Sequence, residues 1–232
     1  MKVISMQYFT LETACAINET GPIYPQIQKM SQGYDYKSDH SVRKLFKAWR
    51  SFPDFTPDLN SFLLHAKSRP TDFISNALSS RGIIVSEIVK SIFESFNTCP
   101  IAFYKATIKY KSDVLDNYYW MHIISDYTDF IDYPNSRFFI YKNFIFDLGD
   151  IKIESKLDLT NKLEEIKKQY FNDTIAIWAK SITLLPNFDK SLDFFEIGRF
   201  SSNRYISLHL KNALEKEKVS GYLLSTATNL NL

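Results

Sequence analysis

The chain has 232 residues, of which 45% are hydrophobic and 23% charged; 28 Lys and Arg face 26 Asp and Glu, for a formal net charge of +2. That is enough chain to bury a substantial core, and the composition excludes a disordered, collagenous or disulfide-scaffolded protein as well as a strongly basic nucleic-acid binder. Lysine outnumbers arginine 21 to 7, whereas arginine is the usual residue for bidentate phosphate and base contacts.

Taken in chain order, Met1 to Tyr8 alternates well enough to predict an opening strand, VISMQYF. Residues 18–60 are looser, broken by Gly21, Pro22, Pro25, Gly33, Pro53 and Pro57, with one short helix expected in VRKLFKAWRSF. SFLLHA at 61–66 reads as a strand. Ser86 reads as the N-cap of a helix, EIVKSIFESF, with Ile88, Ile92, Phe93 and Phe96 on one stripe and Pro100 beyond its end. A β-rich centre follows: 101–111, 117–125 and 136–146 are each dense in β-branched and aromatic residues, with turn residues between them. Lys105, Thr107, Lys109 and Lys111 alternate with apolar neighbours, as in a strand with one wet face. A helix is predicted from about Thr160, with Leu163, Ile166 and Tyr170 on its apolar side. TIAIWAKSITLL is a second β region; Ser207 caps a last helix, LHLKNALEKEK, and Gly221 separates it from a terminal strand, YLLST. Strands and helices without strict alternation predict an α+β fold, with a mixed, largely antiparallel sheet and a few packed helices. Residues 1–60 are expected to form an N-terminal segment packed on a main domain of residues 61–232.

The chain also echoes itself. A shift of 121 residues aligns 72–106 with 193–227, matching Asp72/Asp193, Phe73/Phe194, Ser80/Ser201, Ser86/Ser207, Lys90/Lys211, Glu94/Glu215 and Ala106/Ala227. In both stretches an apolar residue precedes a helix-capping Ser, then an amphipathic helix, then a strand. Either a degenerate duplication or two similar capped helices on a common sheet accounts for it.

Motif chemistry is sparse. The six glycines lie at least twelve residues apart, so neither a dinucleotide fingerprint nor a Walker loop can form. His40, His65, His122 and His209 are scattered, and Cys15 and Cys99 stand alone; zinc and thioredoxin-type sites need clustered ligands. Cys99, beside Pro100 and an apolar run, reads as a core thiol, and two lone cysteines suit a reducing compartment. The N-terminal stretch is interrupted by Gln7, Thr10, Glu12 and Thr13, and the longest apolar runs fall far short of the roughly 20 residues that span a bilayer. No membrane partner, metal or cofactor is expected, and the cytoplasm is the expected compartment.

One run carries a resemblance. YYWMHIISDYTDFIDYPNSRFF (118–139) is similar to the central signature of a bacterial immunity-protein family encoded beside polymorphic toxins and first catalogued as a domain of unknown function. Its aromatic strand and D-x-I-D element fall here on Tyr118, Tyr119, Trp120, His122, Asp129, Ile131, Asp132 and Ser136. RPTDFI…GIIVSEIVKSIFESF and DFFEIG…RYISLHLKNALEKEKVSGYLL also look similar, so the resemblance covers about residues 61–227; the second of these has Leu208 where the first has Glu87. The resemblance implies a protein that binds and neutralises a cognate toxin domain delivered by contact-dependent secretion, with no catalysis and no cofactor.

Bottom-up, residues 113–150 carry seven aspartates against Arg137 and Lys142, and eleven aromatics are interleaved between Tyr118 and Phe146. Aromatic anchors and charge complementarity are what a tight inhibitor combines, and Asp126, Tyr127, Asp129, Asp132 and Tyr133 are the candidate partner-binding residues. The same D-x-x-D spacing also suits turns in which Asp bonds its own backbone, or a carboxylate pair for acid–base or hard-cation chemistry. A small-molecule-processing enzyme with a site assembled from distant residues, and a structural or adaptor protein, remain the alternative readings.

Overall fold

A computed structural model describes residues 7–46, 48, 51–78, 82–198, 200 and 203–232. Its strands are β1 (Tyr8–Thr13), β2 (Ile27–Met30), β3 (Phe62–Leu64), β4 (Phe73–Ile74), β5 (Gly82–Ser86), β6 (Ile101–Tyr110), β7 (Asp113–Ile123), β8 (Arg137–Lys142), β9 (Phe146–Ile151), β10 (Ile175–Thr183), β11 (Phe194–Glu196), β12 (Arg204–Ser207), β13 (Tyr222–Thr226) and β14 (Leu230–Asn231). Its helices are α1 (Ile17–Thr20), α2 (Glu87–Glu94), α3 (Lys156–Gln169) and α4 (Leu208–Lys216). They form three sheets, ordered β2-β3-β6-β7-β5-β4, β11-β12-β1-β13 and β14-β10-β8-β9, antiparallel except where β3 meets β6 and β10 meets β14. This is an α+β fold with mixed, largely antiparallel sheets.

Most predicted elements stand where the pattern put them, and the departures have local causes. The opening strand begins at Tyr8; residues 3–6 of the predicted VISMQYF lie outside the described residues. VRKLFKAWRSF yields only a 3-10 turn at Val42–Phe46, and Lys47, Trp49 and Arg50 are likewise outside the description. Helix α3 starts four residues before Thr160 because the Ser155 side chain caps it, accepting from Asp158 N. On α2 the buried stripe is Val89, Ile92 and Phe93, while Ile88 is 52% exposed. The expected single strand at 136–146 is a hairpin, β8 and β9, because Asn143 and Phe144 both adopt left-handed backbone (φ 51 and 58).

The internal echo is a structural repeat, and it reaches beyond the aligned segments. Under the same 121-residue shift, β4 pairs with β5 through Phe73 and Val85 as β11 pairs with β12 through Phe194 and Ile206. Helices α2 and α4 start at equivalent positions, each capped by its Ser, with Oγ accepting from Val89 N or Leu210 N. In the first unit β6 turns back into β7, which inserts between β6 and β5. The second has no such return strand; β1, from the other end of the chain, fills the place. Ser86 opposes Tyr118 and Lys105 opposes Tyr119, as Ser207 opposes Tyr8 and Thr226 opposes Phe9. The side chains follow: the Tyr118 hydroxyl donates to Thr71 O (3.1 Å) and that of Tyr8 to Leu192 O (2.8 Å), while Lys90 sits 5.3 Å over the Tyr119 ring and Lys211 5.4 Å over Phe9. The two four-stranded units are copies related by a circular permutation. Ser80 and Ser201, one matched pair of the alignment, lie outside the described residues.

Two aspartates join the copies. Asp72 accepts from the Ser86 hydroxyl (2.7 Å) with one oxygen and from Ser220 N (2.9 Å) and Oγ (2.7 Å), in the turn after α4, with the other. Asp193 accepts from the Ser207 hydroxyl (2.6 Å) and, across the interface, from Asn97 N (3.2 Å), in the turn after α2. Phe93 packs edge-on against Phe194 beside this brace. Successive residues of the six-stranded sheet point to opposite faces: Ile83, Val85 and Met121 enter a large core shared with the second copy, and Ile84, Tyr118 and Trp120 a smaller one closed by Ile27, Val42, Leu45 and Phe62. That double burial explains why GIIVS is apolar without alternation.

Removing a charged acceptor from part-buried donors costs about 1.5–3 kcal/mol. Asp72→Ala and Asp193→Ala are each expected to lower stability by that order, Asp72→Ala more because three donors lose their partner. Urea unfolding checks this, and a neutral result for either would dissolve the brace.

Candidate functional site

The signature residues act mainly as scaffold. Trp120 is fully buried and stacks parallel to Phe62 with centroids 6.2 Å apart. Gly82 opposes that ring so closely that a Cβ there would lie 2.4 Å from it. His122, also fully buried, meets Ala48 O through Nε2 at 2.7 Å, and its Nδ1 has no partner among the described residues. The ring is therefore neutral with the proton on Nε2, and burial holds its basicity below the ordinary 6.5.

The five candidate partner-binding residues lie together between β7 and β8. Asp126 accepts from Thr128 N (3.2 Å) and Oγ (2.5 Å), opening a 3-10 turn at Thr128–Phe130. The half-buried Tyr127 ring packs among Phe130, Phe188 and Phe195, where burial pushes its phenol up to about 12. Asp129, exposed like Asp126, pairs with Lys156, the first residue of α3, at 2.8 Å. Asp132 holds a turn through Asn135 Nδ2 (2.8 Å), and its backbone N–H reaches Thr183 O. Tyr133 is 6% exposed, stacks on Phe138 and donates to Thr128 O. The two tyrosines thus anchor the loop from beneath, and the aspartates form its outer side while also shaping its turns.

The turn of the hairpin at 137–151 is silent in the sequence because it runs YKNFIF without Gly or Pro; Asn143 is its one turn-forming residue. Asn143 ties the turn to the α3–β10 loop, donating to Asp173 (2.7 Å) and accepting from Thr174 N (2.8 Å). Phe144, Ile145 and Phe146 beyond it are 65%, 73% and 54% exposed. Toward the base, Phe139, Tyr141 and Trp178 form an aromatic face, with Lys180 over Phe139 and held between Asp147 (3.3 Å) and Asp150 (2.5 Å).

A cleft of about 410 Å³ opens between the copies, lined by Glu12, Tyr24, Ile74, Gly82 and Arg204 among others. Arg204 is held by Glu196 at 2.9 Å. Among the described residues no three His, Cys, Asp or Glu side chains converge as metal ligands. Cys99 is buried, and desolvation raises its thiol to about 12; Cys15 is exposed. No helix among the described residues is long and apolar enough to cross a membrane.

A family model described as Immunity protein family (Imm11) matches residues 7–229. The chain belongs to that family. The matched span takes in both copies, β1 and the sheet formed by β8, β9 and β10. No curated protein matches the chain.

Two measurements probe these environments. A thiol reagent should label Cys15 quickly and Cys99 only on unfolding; two fast equivalents would contradict the buried thiol. Because folded His122 takes up its proton at lower pH than the unfolded chain does, its contribution to stability is complete above about pH 6.5 and falls as the pH drops below it. Unfolding midpoints from pH 8 to 5 should decline in that window, and less steeply in His122→Gln; parallel profiles would overturn the assignment.

Proposed function

We propose that this Imm11 protein is a non-enzymatic inhibitor that binds one cognate toxin domain stoichiometrically in the cytoplasm and occludes it. It would protect the producing cell and its kin in a polymorphic-toxin system served by contact-dependent secretion. Family membership over 7–229 is the observation that carries this reading.

The geometry supports binding over turnover in two ways. The strongly perturbed groups, Cys99, Tyr8, Tyr118 and Tyr127, owe their shifts first to burial, whereas a reacting group must open to substrate. The acidic loop, by contrast, offers charge on a rigid base, the arrangement that speeds capture of a basic protein surface. Asp126, Asp129 and Asp132 are the proposed contacts, with Tyr127 and Tyr133 fixing their positions.

Asp129→Lys with Asp132→Lys should slow association with the toxin about tenfold at low salt and flatten its salt dependence, as read by stopped-flow or surface plasmon resonance. Unchanged kinetics would remove the loop from the interface. A one-to-one complex by calorimetry, with Kd at or below about 1 nM, corresponds to roughly −12 kcal/mol; absence of any complex at micromolar concentration would overturn the inhibitor reading.

A further inference from the structure

Strand β9 ends its sheet and is bonded on one side only, to β8. Five of its six residues are exposed, so neither face of the strand is covered. Such an edge invites a further strand unless it is blocked. Here the block is selective. Asp147 and Asp150 lie on the same face as Tyr141 and Phe139, their direct partners on β8, and β9 carries no cation of its own. The cations that compensate them, Lys180 and Arg137, come from the inner strands β10 and β8. The side chains of Asp147 and Asp150 still keep 47% and 51% of their surface exposed, beside the position a neighbouring strand would take.

The same charges argue against a second copy of this chain. Antiparallel self-pairing centred between Leu148 and Gly149 sets Asp147 against Asp150, and in-register parallel pairing sets each against itself; like charges directly opposed destabilise a sheet. A strand bearing Lys or Arg at alternate positions would meet both carboxylates and lay its aliphatic stems along Tyr141 and Phe139. Lys180, 5.2 Å over the Phe139 ring, already occupies part of that face in this manner.

The turn at the end of the hairpin adds a second observation. Phe144 holds φ 58 at a position that Gly would occupy without cost, and its side chain is 65% exposed. A bulky residue in left-handed backbone is strained, and an exposed ring gains nothing from the core in return. Its neighbours Ile145 and Phe146 extend an apolar tip.

We propose that β9 and the 144–146 tip are the docking edge for an extended basic segment of the toxin domain, which adds to the sheet as a strand antiparallel or parallel to β9. This rests on the inhibitor reading and names the kind of segment it would engage. The Asp126–Asp132 loop is tied to the segment that follows β9, since Lys156, six residues after Asp150, bonds Asp129.

The test uses the full chain with the product of the gene immediately upstream of it, the candidate toxin, comparing amide hydrogen exchange in the free chain and in the complex. Strand addition predicts strong protection of amides within 146–151 in the complex, and none from dilution series of the free chain. Asp147→Lys with Asp150→Lys should weaken binding at least tenfold. Phe144→Gly should also weaken it while leaving the melting temperature equal or higher, which separates docking from a folding defect. A tight complex with β9 amides still exchanging freely, or one indifferent to these variants, would overturn the inference and leave the inhibitor reading standing. Concentration-dependent protection of β9 in the free chain would overturn it in favour of a second copy. Failure to form any complex would remove the inhibitor reading, and this inference with it.

Discussion

The reciprocal brace of Asp72 and Asp193 is the constraint around which the molecule is arranged. Each carboxylate completes the N-cap of its own copy, where a Ser hydroxyl would otherwise have only the helix amides to hold its orientation, and each spends its second oxygen on the turn that follows the helix of the other copy. A buried-side carboxylate shared between two sets of donors cannot relax toward one without abandoning the other. The brace therefore fixes the two helices, and with them the two sheets, in a single relative placement. Hydrophobic burial supplies most of the stability, but it is not directional; the aspartates select which of many compact packings of Phe93 and Phe194 is adopted.

Permutation follows from how the chain closes that pair. The first copy makes its fourth strand by a tight β6–β7 hairpin, and the second borrows β1 from the start of the chain. The consequence is that the chain between β1 and β5 passes from one copy to the other, and on the way it adds β2 and β3 to the six-stranded sheet, where Ile27, Val42, Leu45 and Phe62 share a core with Trp120. This accounts for a difference between the copies that register alone would not predict: position 120 is Trp under a covered face, while its counterpart in β1 is Thr10. The tyrosine pair, Tyr8 and Tyr118, keeps both identity and hydrogen bond because each hydroxyl answers a carbonyl just ahead of its own copy's brace aspartate.

Sequence made the helices and the central strands legible because their signals are local. Ser86 and Ser207 cap through amides three residues ahead, and period-two alternation in β6 reports a strand with one wet side around Lys105 and Lys109. The repeat shows in seven identities, one of which is the pair of brace aspartates, but its fourth strand is not readable: β1 matches β7 at a different shift, and no linear alignment joins them. The candidate site was half legible. Its aspartates stand out by composition, whereas the packing of Tyr127 and Tyr133 rests on contacts to Phe188, Phe195 and Phe200 that are distant in sequence. The hairpin tip was hidden for the opposite reason, since Phe144 stands in a backbone conformation that its side chain disfavours and so gives no turn signal.

That division between what is readable and what is not follows the division of labour in the protein. Four residues of the 118–139 run, Tyr118, Trp120, His122 and Ser136, are consumed in packing and internal hydrogen bonds, and a side chain buried in the fold has little surface left to offer a partner. Groups with surface still to lose are elsewhere: exposed carboxylates on a loop pinned from below, and apolar side chains on a hairpin whose turn holds strain. Surface of that kind can change without disturbing the core, because neither Asp129 nor Ile145 supports anything buried beneath it. A fold that must keep its architecture while matching one particular partner gains from this separation, since affinity for that partner then varies independently of stability.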